Sequence, residues 1–335
     1  MKNLINFQNF VGCDVSKDTL DFAIYEKEKD YRKFEHVQFS NDLDGFRAMR
    51  KWLKSHKIDI KNVVIAMEHT GIYSEALSEW CYKQKIAFVM LHPADVKRAY
   101  TRGRNKTDKE DSQFIADYVY TYREKLIPSQ PESPIIKSLR LLQNERRLAV
   151  NARTSYLNQI KGISDKTSVN RMKKMIKTFD MQIKELEQQI MELVKSDESI
   201  LKNYQLLLSI PGIGLINAIA VIVSTGNFVR FQTARQYAKF ISVSPMANQS
   251  GVSVRGGNHV SKAGHYSLKA LITQGARSAT MNDPQIKAFY QRKIAQGKTY
   301  GCALNAIKFK LICRMFAVVK RQKPFVHIDK FKSIS

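Results

Sequence analysis

The chain has 335 residues, of which 44% are hydrophobic, and its 55 Lys and Arg against 30 Asp and Glu give a formal charge of +25. That length and apolar content can build a sizeable core in two or three domains, which excludes a disordered basic tail or a peptide-like binder. The excess positive charge makes a polyanion, nucleic acid first, the expected partner. Cys13, Cys81, Cys302 and Cys313 form no CxxC pair and no zinc-ligand spacing, and the apolar runs near Leu215–Val223 and Leu311–Val319 fall well short of a ~20-residue membrane span. With no signal-peptide pattern at the N-terminus, a soluble protein of a reducing cytosol is expected.

The first segment, residues 1–126, carries 22 basic and 19 acidic side chains. Phe10–Val15 and Leu20–Tyr25 read as strands joined by the polar turn Ser16-Lys17-Asp18, and Phe34–Phe39 as a third. Asn41 or Asp42 then starts an amphipathic helix through Trp52. Val63–Met67 is a buried strand, Ser74–Tyr82 a helix, Ile86–Leu91 another strand, and Thr107 caps a helix running to about Tyr122. Strands in hairpin order followed by strand–helix alternation predict an α/β domain with a mixed sheet.

Residues 127–134 hold three prolines and read as a linker. From Ile135 to Ile210 there is no proline and a single glycine, and Met172, Ile176, Phe179, Ile183, Leu186, Ile190 and Leu193 follow a 4,3 spacing that fits a heptad seam. Residues 135–200 are therefore a helical stalk, either an intramolecular hairpin or an intermolecular coiled coil. Residues 201–335 are basic and mostly helical, with 20 basic side chains against only Asp283 and Asp329. Leu207–Gly214, with the turn Pro211-Gly212-Ile213-Gly214, resembles a helix-hairpin-helix, in which Gly212 and Gly214 let backbone N–H groups approach a phosphate. The chain ends in a basic amphipathic helix, about Gly301–Arg321.

Two constellations carry chemistry. Asp14 stands inside the first strand, Glu68 follows the strand Val63–Met67, and Asp108 and Asp111 are three apart, on one face if helical. A carboxylate in a buried strand costs several kcal/mol unless paired or metal-bound. Two Mg²⁺ ions held ~4 Å apart by such a set would serve phosphoryl transfer, although singly Glu68 and Asp108 would also serve as helix caps and Asp111 as a solvated residue. The second constellation is the glycine-rich stretch from Asn248 to Gly264, with Ser250, Arg255 and Lys262. By composition it is a phosphate-binding loop more readily than a nucleophile site, and a nucleophilic serine here has no nearby carboxylate in sequence. Help would come from the acids or metal of the first segment, with the two ends of the chain meeting over the DNA.

These residues match a known pattern. Val11-Gly-Cys-Asp14-Val-Ser-Lys-Asp-Thr-Leu-Asp21, Glu68-His-Thr-Gly-Ile-Tyr73, Ala94-Asp-Val-Lys, Lys106-Thr-Asp108-Lys-Glu-Asp111 and Ser209-Ile-Pro-Gly-Ile-Gly214 followed by Ser250-Gly resemble the IS110 and IS1111 insertion-sequence transposases, with which Piv-type DNA invertases share the pattern. The resemblance runs over about residues 10–280 and implies a RuvC-like (RNase H-like) DEDD domain, a coiled-coil region and a C-terminal transposase domain. It implies that Asp14, Glu68, Asp108 and Asp111 bind Mg²⁺ and that Ser250 is the covalent nucleophile. Read from the residues themselves, Lys106, Arg255 and Lys262 are expected on a nucleic-acid surface, Arg255 and Lys262 holding phosphate oxygens. It also implies donor and target DNA and a structured noncoding guide RNA as partners, and a homo-oligomer, dimer or tetramer, that assembles composite sites. Cys13 and Ser112 replace the usual aliphatic residue and alanine, and Ser242-Val-Ser-Pro245 replaces a glycine-containing turn, which leaves Ser253 and Ser261 as alternative nucleophiles. The leading expectation is a transposase working through a phosphoserine intermediate. The alternatives are a site-specific invertase, a metal-dependent structure-selective nuclease using only the carboxylates, and a non-catalytic nucleic-acid binder.

Overall fold

In a computed structural model of the chain, residues 3–27, 32–69, 71–99, 107–250, 254–260 and 264–326 are described. The chain divides into two compact units, Met1–Pro131 and Glu132–Ser335.

The first unit is built on five strands, β1 (Asn9–Val15), β2 (Thr19–Lys27), β3 (Arg32–Ser40), β4 (Val63–Glu68) and β5 (Ala87–Leu91), in the order β3-β2-β1-β4-β5. β1–β2 and β2–β3 pair antiparallel, whereas β1–β4 and β4–β5 pair parallel. The sheet is therefore mixed, with β1 at its centre, and its α/β character is the predicted one. Alternation assigns the two faces. Val11, Cys13 and Val15 point into a core made with Phe46, Met49 and Leu53 of α1 (Leu43–Ser55) and Leu77 and Cys81 of α2 (Glu75–Lys83). Phe10, Val64 and Ala66 point to the other face, against Val96 of α3 (Pro93–Ala99) and Ile115 and Val119 of α4 (Asp108–Thr121). Asp42 caps α1 by accepting from the N–H groups of Asp44 and Gly45, and Thr107 caps α4 by accepting from Glu110. Past α4, the Ser129 N–H donates to the Phe88 carbonyl at 2.7 Å and the Ser129 hydroxyl accepts from Met90 N–H at 2.9 Å. Part of the proline-rich stretch thus lies along β5 and satisfies an edge that would otherwise be open.

The second unit begins with α5 (Pro134–Ile160), whose cap Ser133 and N1 proline start it where the linker ends, and α6 (Lys166–Lys195). Arg146 pairs with Glu187 at 2.6 Å, Arg153 with Asp180 at 2.5 Å, and the Tyr156 and Phe179 rings lie tilted with their centroids 5.9 Å apart. Later positions of α5 meet earlier positions of α6, so the two form an antiparallel hairpin within the chain. At its root Ile136, Leu139, Ile190 and Val194 join the main core of the unit. The rest of that core comes from α7 (Glu198–Leu208), α8 (Leu215–Thr225), α9 (Ala234–Phe240), α10 (Tyr266–Asn282), α11 (Pro284–Ala295) and α12 (Tyr300–Arg321). Two strands, β6 (Pro245–Ser250) and β7 (Val254–Val260), form an antiparallel hairpin in this otherwise helical unit. Among the described residues no helix is long and apolar enough to cross a membrane.

Candidate active site

Pairing and sheet alternation bring the acids of the first unit to one end of one face. Asp14 faces Asp21 across the β1–β2 ladder, and Cys13 registers with Met67 of β4, so Glu68 stands beside Asp14 at the carboxyl end of the neighbouring parallel strand. Gly12, two residues before Asp14, lies on the same face, and a Cβ there would stand 2.0 Å from the Ser112 carbonyl oxygen and 2.4 Å from Ala116 N. The backbone of α4 therefore rests directly on β1, and only glycine permits it. That close approach holds the first turn of α4, with Asp108 and Asp111, over the same end of the sheet. Ser112 is buried at the contact, where a small side chain is needed.

Burial, reinforced by the charges of Asp111, Asp108, Glu68 and Asp21 in that order, pushes the Asp14 carboxyl up to about 6. The charges of the other three predicted acids thus reach Asp14, and negative charge concentrated at one strand end favours a cation. Among the described residues, however, no three His, Cys, Asp or Glu side chains are already gathered closely enough to ligate one ion. The donor set itself fits Mg²⁺: hard carboxylate oxygens, concentrated negative charge and no soft ligand aimed among them. Cys13 points to the opposite face, where burial, then Asp14, Cys81 and Asp21, hold its thiol well above the ordinary range. It is an inert core residue.

Asp21, which closes the first sequence motif but carried no site role there, is the acid whose place sequence reasoning missed. It is 4% exposed, shares a 2.8 Å hydrogen bond with His36 Nε2 and accepts one of 3.0 Å from Gln38 Nε2. The signal was present as an acid in an apolar strand, but only the β1–β2 register puts it opposite Asp14.

In the second unit the two glycines of the Pro211–Gly214 turn do different work. Gly212 has φ +88°, and a Cβ there would meet the Gly275 carbonyl at 2.4 Å and Ala279 Cβ at 2.8 Å. Its glycine is explained by the turn and by packing on α10. Gly214 is the N-cap of α8, makes no side-chain cap and has open space around it, so the N–H groups of that helix end remain approachable. Ser250 is the last residue of β6 and pairs with Val254, while Arg255 lies in β7. Both are described by their backbones alone. Lys106, Lys262, Ser253 and Ser261 lie outside the described residues. The hairpin was not foreseen from sequence, because Asn248–His259 has too few apolar residues to show a period of two.

Comparison with known families agrees with the order of these elements along the chain. Residues 11–168 match a family described as a DEDD transposase of the IS110 type, and residues 204–291 match the transposase family IS116/IS110/IS902. The chain is 25% identical to the pilin gene-inverting protein of Moraxella bovis over 95% of this chain and 98% of that protein. It is 24% identical to the transposase for insertion sequence element IS1111A of Coxiella burnetii, covering 70% of this chain and 72% of that one. A protein of insertion element IS110 from Streptomyces coelicolor is 31% identical over 34% of this chain and 28% of its own length.

Proposed function

The chain belongs to the IS110 family of transposases, and from that premise we propose that it cuts and rejoins DNA through a covalent serine intermediate. One observation carries this reading: Asp14, Glu68, Asp108 and Asp111, distant in sequence, are coupled around one strand end, as phosphoryl transfer with bound cations requires. The mixed sheet with a central acidic strand supports a RuvC-like reading of the first unit. In this reading the four carboxylates hold Mg²⁺, two ions per site, with Asp21, backed by His36 and Gln38, adding negative charge beside Asp14. Bound there, Mg²⁺ would neutralise charge on the phosphoryl oxygens in the transition state.

Ser250 Oγ attacks the phosphorus of a DNA phosphodiester. A phosphoserine ester forms, the bond to a deoxyribose oxygen breaks, Oγ releases its proton and the departing oxygen gains one. Attack by a deoxyribose hydroxyl of the partner strand reverses these changes and rejoins the DNA without net hydrolysis. Lys106, Arg255, Lys262 and the α8 N-terminus at Gly214 contact phosphates, and a structured noncoding RNA selects donor and target. The enzyme works as a homo-oligomer in the cytoplasm or nucleoid.

The test is recombination in vitro with Mg²⁺, with and without RNA transcribed from the flanking DNA. The wild type should form a protein–DNA adduct that Ser250→Ala abolishes, and Asp14→Ala should recombine nothing while retaining DNA binding. Cleavage that survives Ser250→Ala but not Asp14→Ala would establish a nuclease instead. A site-specific invertase is the second reading. It is favoured by near-complete coverage of the Moraxella pilin gene-inverting protein, and inversion without excision or insertion would select it.

A further inference from the structure

Lys308 sits on the core-facing stripe of α12, between Leu304, Ile307, Leu311 and Ile312, where an aliphatic residue would be expected. It is 7% exposed, and among the described residues it has neither an ion pair nor a hydrogen bond. Its charged neighbour is another cation: burial, with the charge of Lys269 on the first turn of α10, pushes the Lys308 amine down to about 8. Asp283, the single described acid after Glu198, is committed to Arg314 at 2.5 Å. The stem of Lys308 is buried, and holding its ammonium beside a second one costs the fold stability.

The same corner holds a second unsatisfied donor. One turn before Lys308, Asn305 donates to the Val243 carbonyl at 2.7 Å, which fixes α12 to the root of the β6–β7 hairpin. Ser242, next to Val243, is 3% exposed and its hydroxyl has no hydrogen-bond partner. Gly264 packs so closely there that a Cβ would stand 2.0 Å from Ser242 Oγ. Immediately beyond, α10 starts at His265 with no side-chain cap and no acid in its first turn. Two amines, a hydroxyl and the open positive end of a helix are all donors, and a tetrahedral oxyanion satisfies all of them.

We propose that Lys308, Lys269, the Ser242 hydroxyl and the N-terminus of α10 form a seat for a backbone phosphate of DNA at the root of the hairpin that ends in Ser250. The seat rests on the reading that DNA is the substrate, and it grips a phosphate of the strand that the hairpin serves.

The experiment measures binding of the full-length protein to duplex DNA over a range of salt concentrations, together with its thermal melting. Lys308→Met should weaken binding roughly tenfold and reduce the slope of log affinity against log salt by about one. Its melting temperature should hold or rise, since an unpaired buried charge is gone. Lys308→Arg should keep the slope. An unchanged slope in Lys308→Met overturns the seat, and so does a fall in melting temperature that accompanies the weaker binding. If Lys308→Met does not fold, Lys269→Met should show the same loss of about one in slope, and an unchanged slope there overturns it. Inorganic phosphate at matched ionic strength should compete in the wild type and not in Lys308→Met. Competition of equal strength in both overturns the seat, as does a loss of affinity confined to RNA. A reduced slope with no serine adduct in the wild type would leave the seat standing and remove the serine mechanism. An adduct with an unchanged slope would do the reverse.

Discussion

Asp14 shows at the residue scale what a buried acid among other acids does to stability. Its carboxyl is held up to about 6, so the folded state keeps the proton more tightly than the unfolded chain. The penalty is absent where both states are protonated, grows as pH rises through the range between about 4 and 6, and is complete above it. Asp14→Asn should therefore raise the melting temperature by a few degrees at pH 7.5, with the gain shrinking toward pH 4, while recombination is lost. Asp283 behaves in the opposite way. Burial pushes its carboxyl up, but the hydrogen bond from Arg314, the N–H groups of Ile286 and Gln285, and the Arg314 charge more than offset that and hold it below the usual range. Its contribution is present above the unfolded carboxyl value near pH 4 and is lost as pH falls through the folded one. Arg314→Met should destabilise the second unit by about 3–5 kcal/mol in chemical denaturation at pH 7, because the Asp283 charge stays buried without its partner. Adding Asp283→Asn should recover part of that loss.

At the scale of elements, the grouping of Asp14, Glu68, Asp108 and Asp111 depends on how closely one helix lies on one strand. Replacing Gly12 by alanine would drive a methyl into the Ser112 carbonyl and push α4 from β1, taking Asp108 and Asp111 with it. Gly12→Ala should cost about 2–4 kcal/mol in denaturant unfolding and should abolish any rise in melting temperature on adding Mg²⁺. Wild type whose melting temperature ignores Mg²⁺ would count against the metal site itself. The α5–α6 hairpin has a different economy. Its root shares the core through Ile136, Leu139, Ile190 and Val194, whereas its far half is held by half-exposed seam residues and by ion pairs such as Arg153–Asp180, each worth ~0.2–1 kcal/mol. Amide hydrogen exchange should accordingly be fastest around residues 156–172 and slowest near 190–194.

For the whole molecule, charge and folding units run together. Residues 201–335 carry most of the net charge and belong to the second unit, so DNA affinity should reside there and weaken steeply with salt. Each unit has its own core, and separate expression of residues 1–131 and 132–335 should give two fragments that melt cooperatively. Only the second fragment should then bind duplex DNA strongly in an anisotropy titration.

Local rules were enough to read much of this from the sequence. The apolar runs of β1 and β4, the Asp42 and Thr107 caps, the 4,3 spacing of α6 and the proline-rich break are all written in neighbouring residues. Asp14 stood out because a carboxylate in an apolar strand has few structural excuses, and Asp108 and Asp111 through their three-residue spacing on one helix face. What waited for tertiary structure depends on contacts between distant segments. Heptad spacing creates an apolar stripe without naming its partner, and contacts such as Arg146–Glu187, Arg153–Asp180 and Tyr156–Phe179 show α5 filling that role within the chain. Asp21 became part of the site through strand register, Gly212 became a packing residue through its approach to α10, and Lys308 became an unpaired buried cation only once α12 was laid against α10. Residue type and spacing determine which chemistry a chain can carry. Which groups face one another, and which are left without a partner, is decided by long-range packing, and no local pattern encodes that.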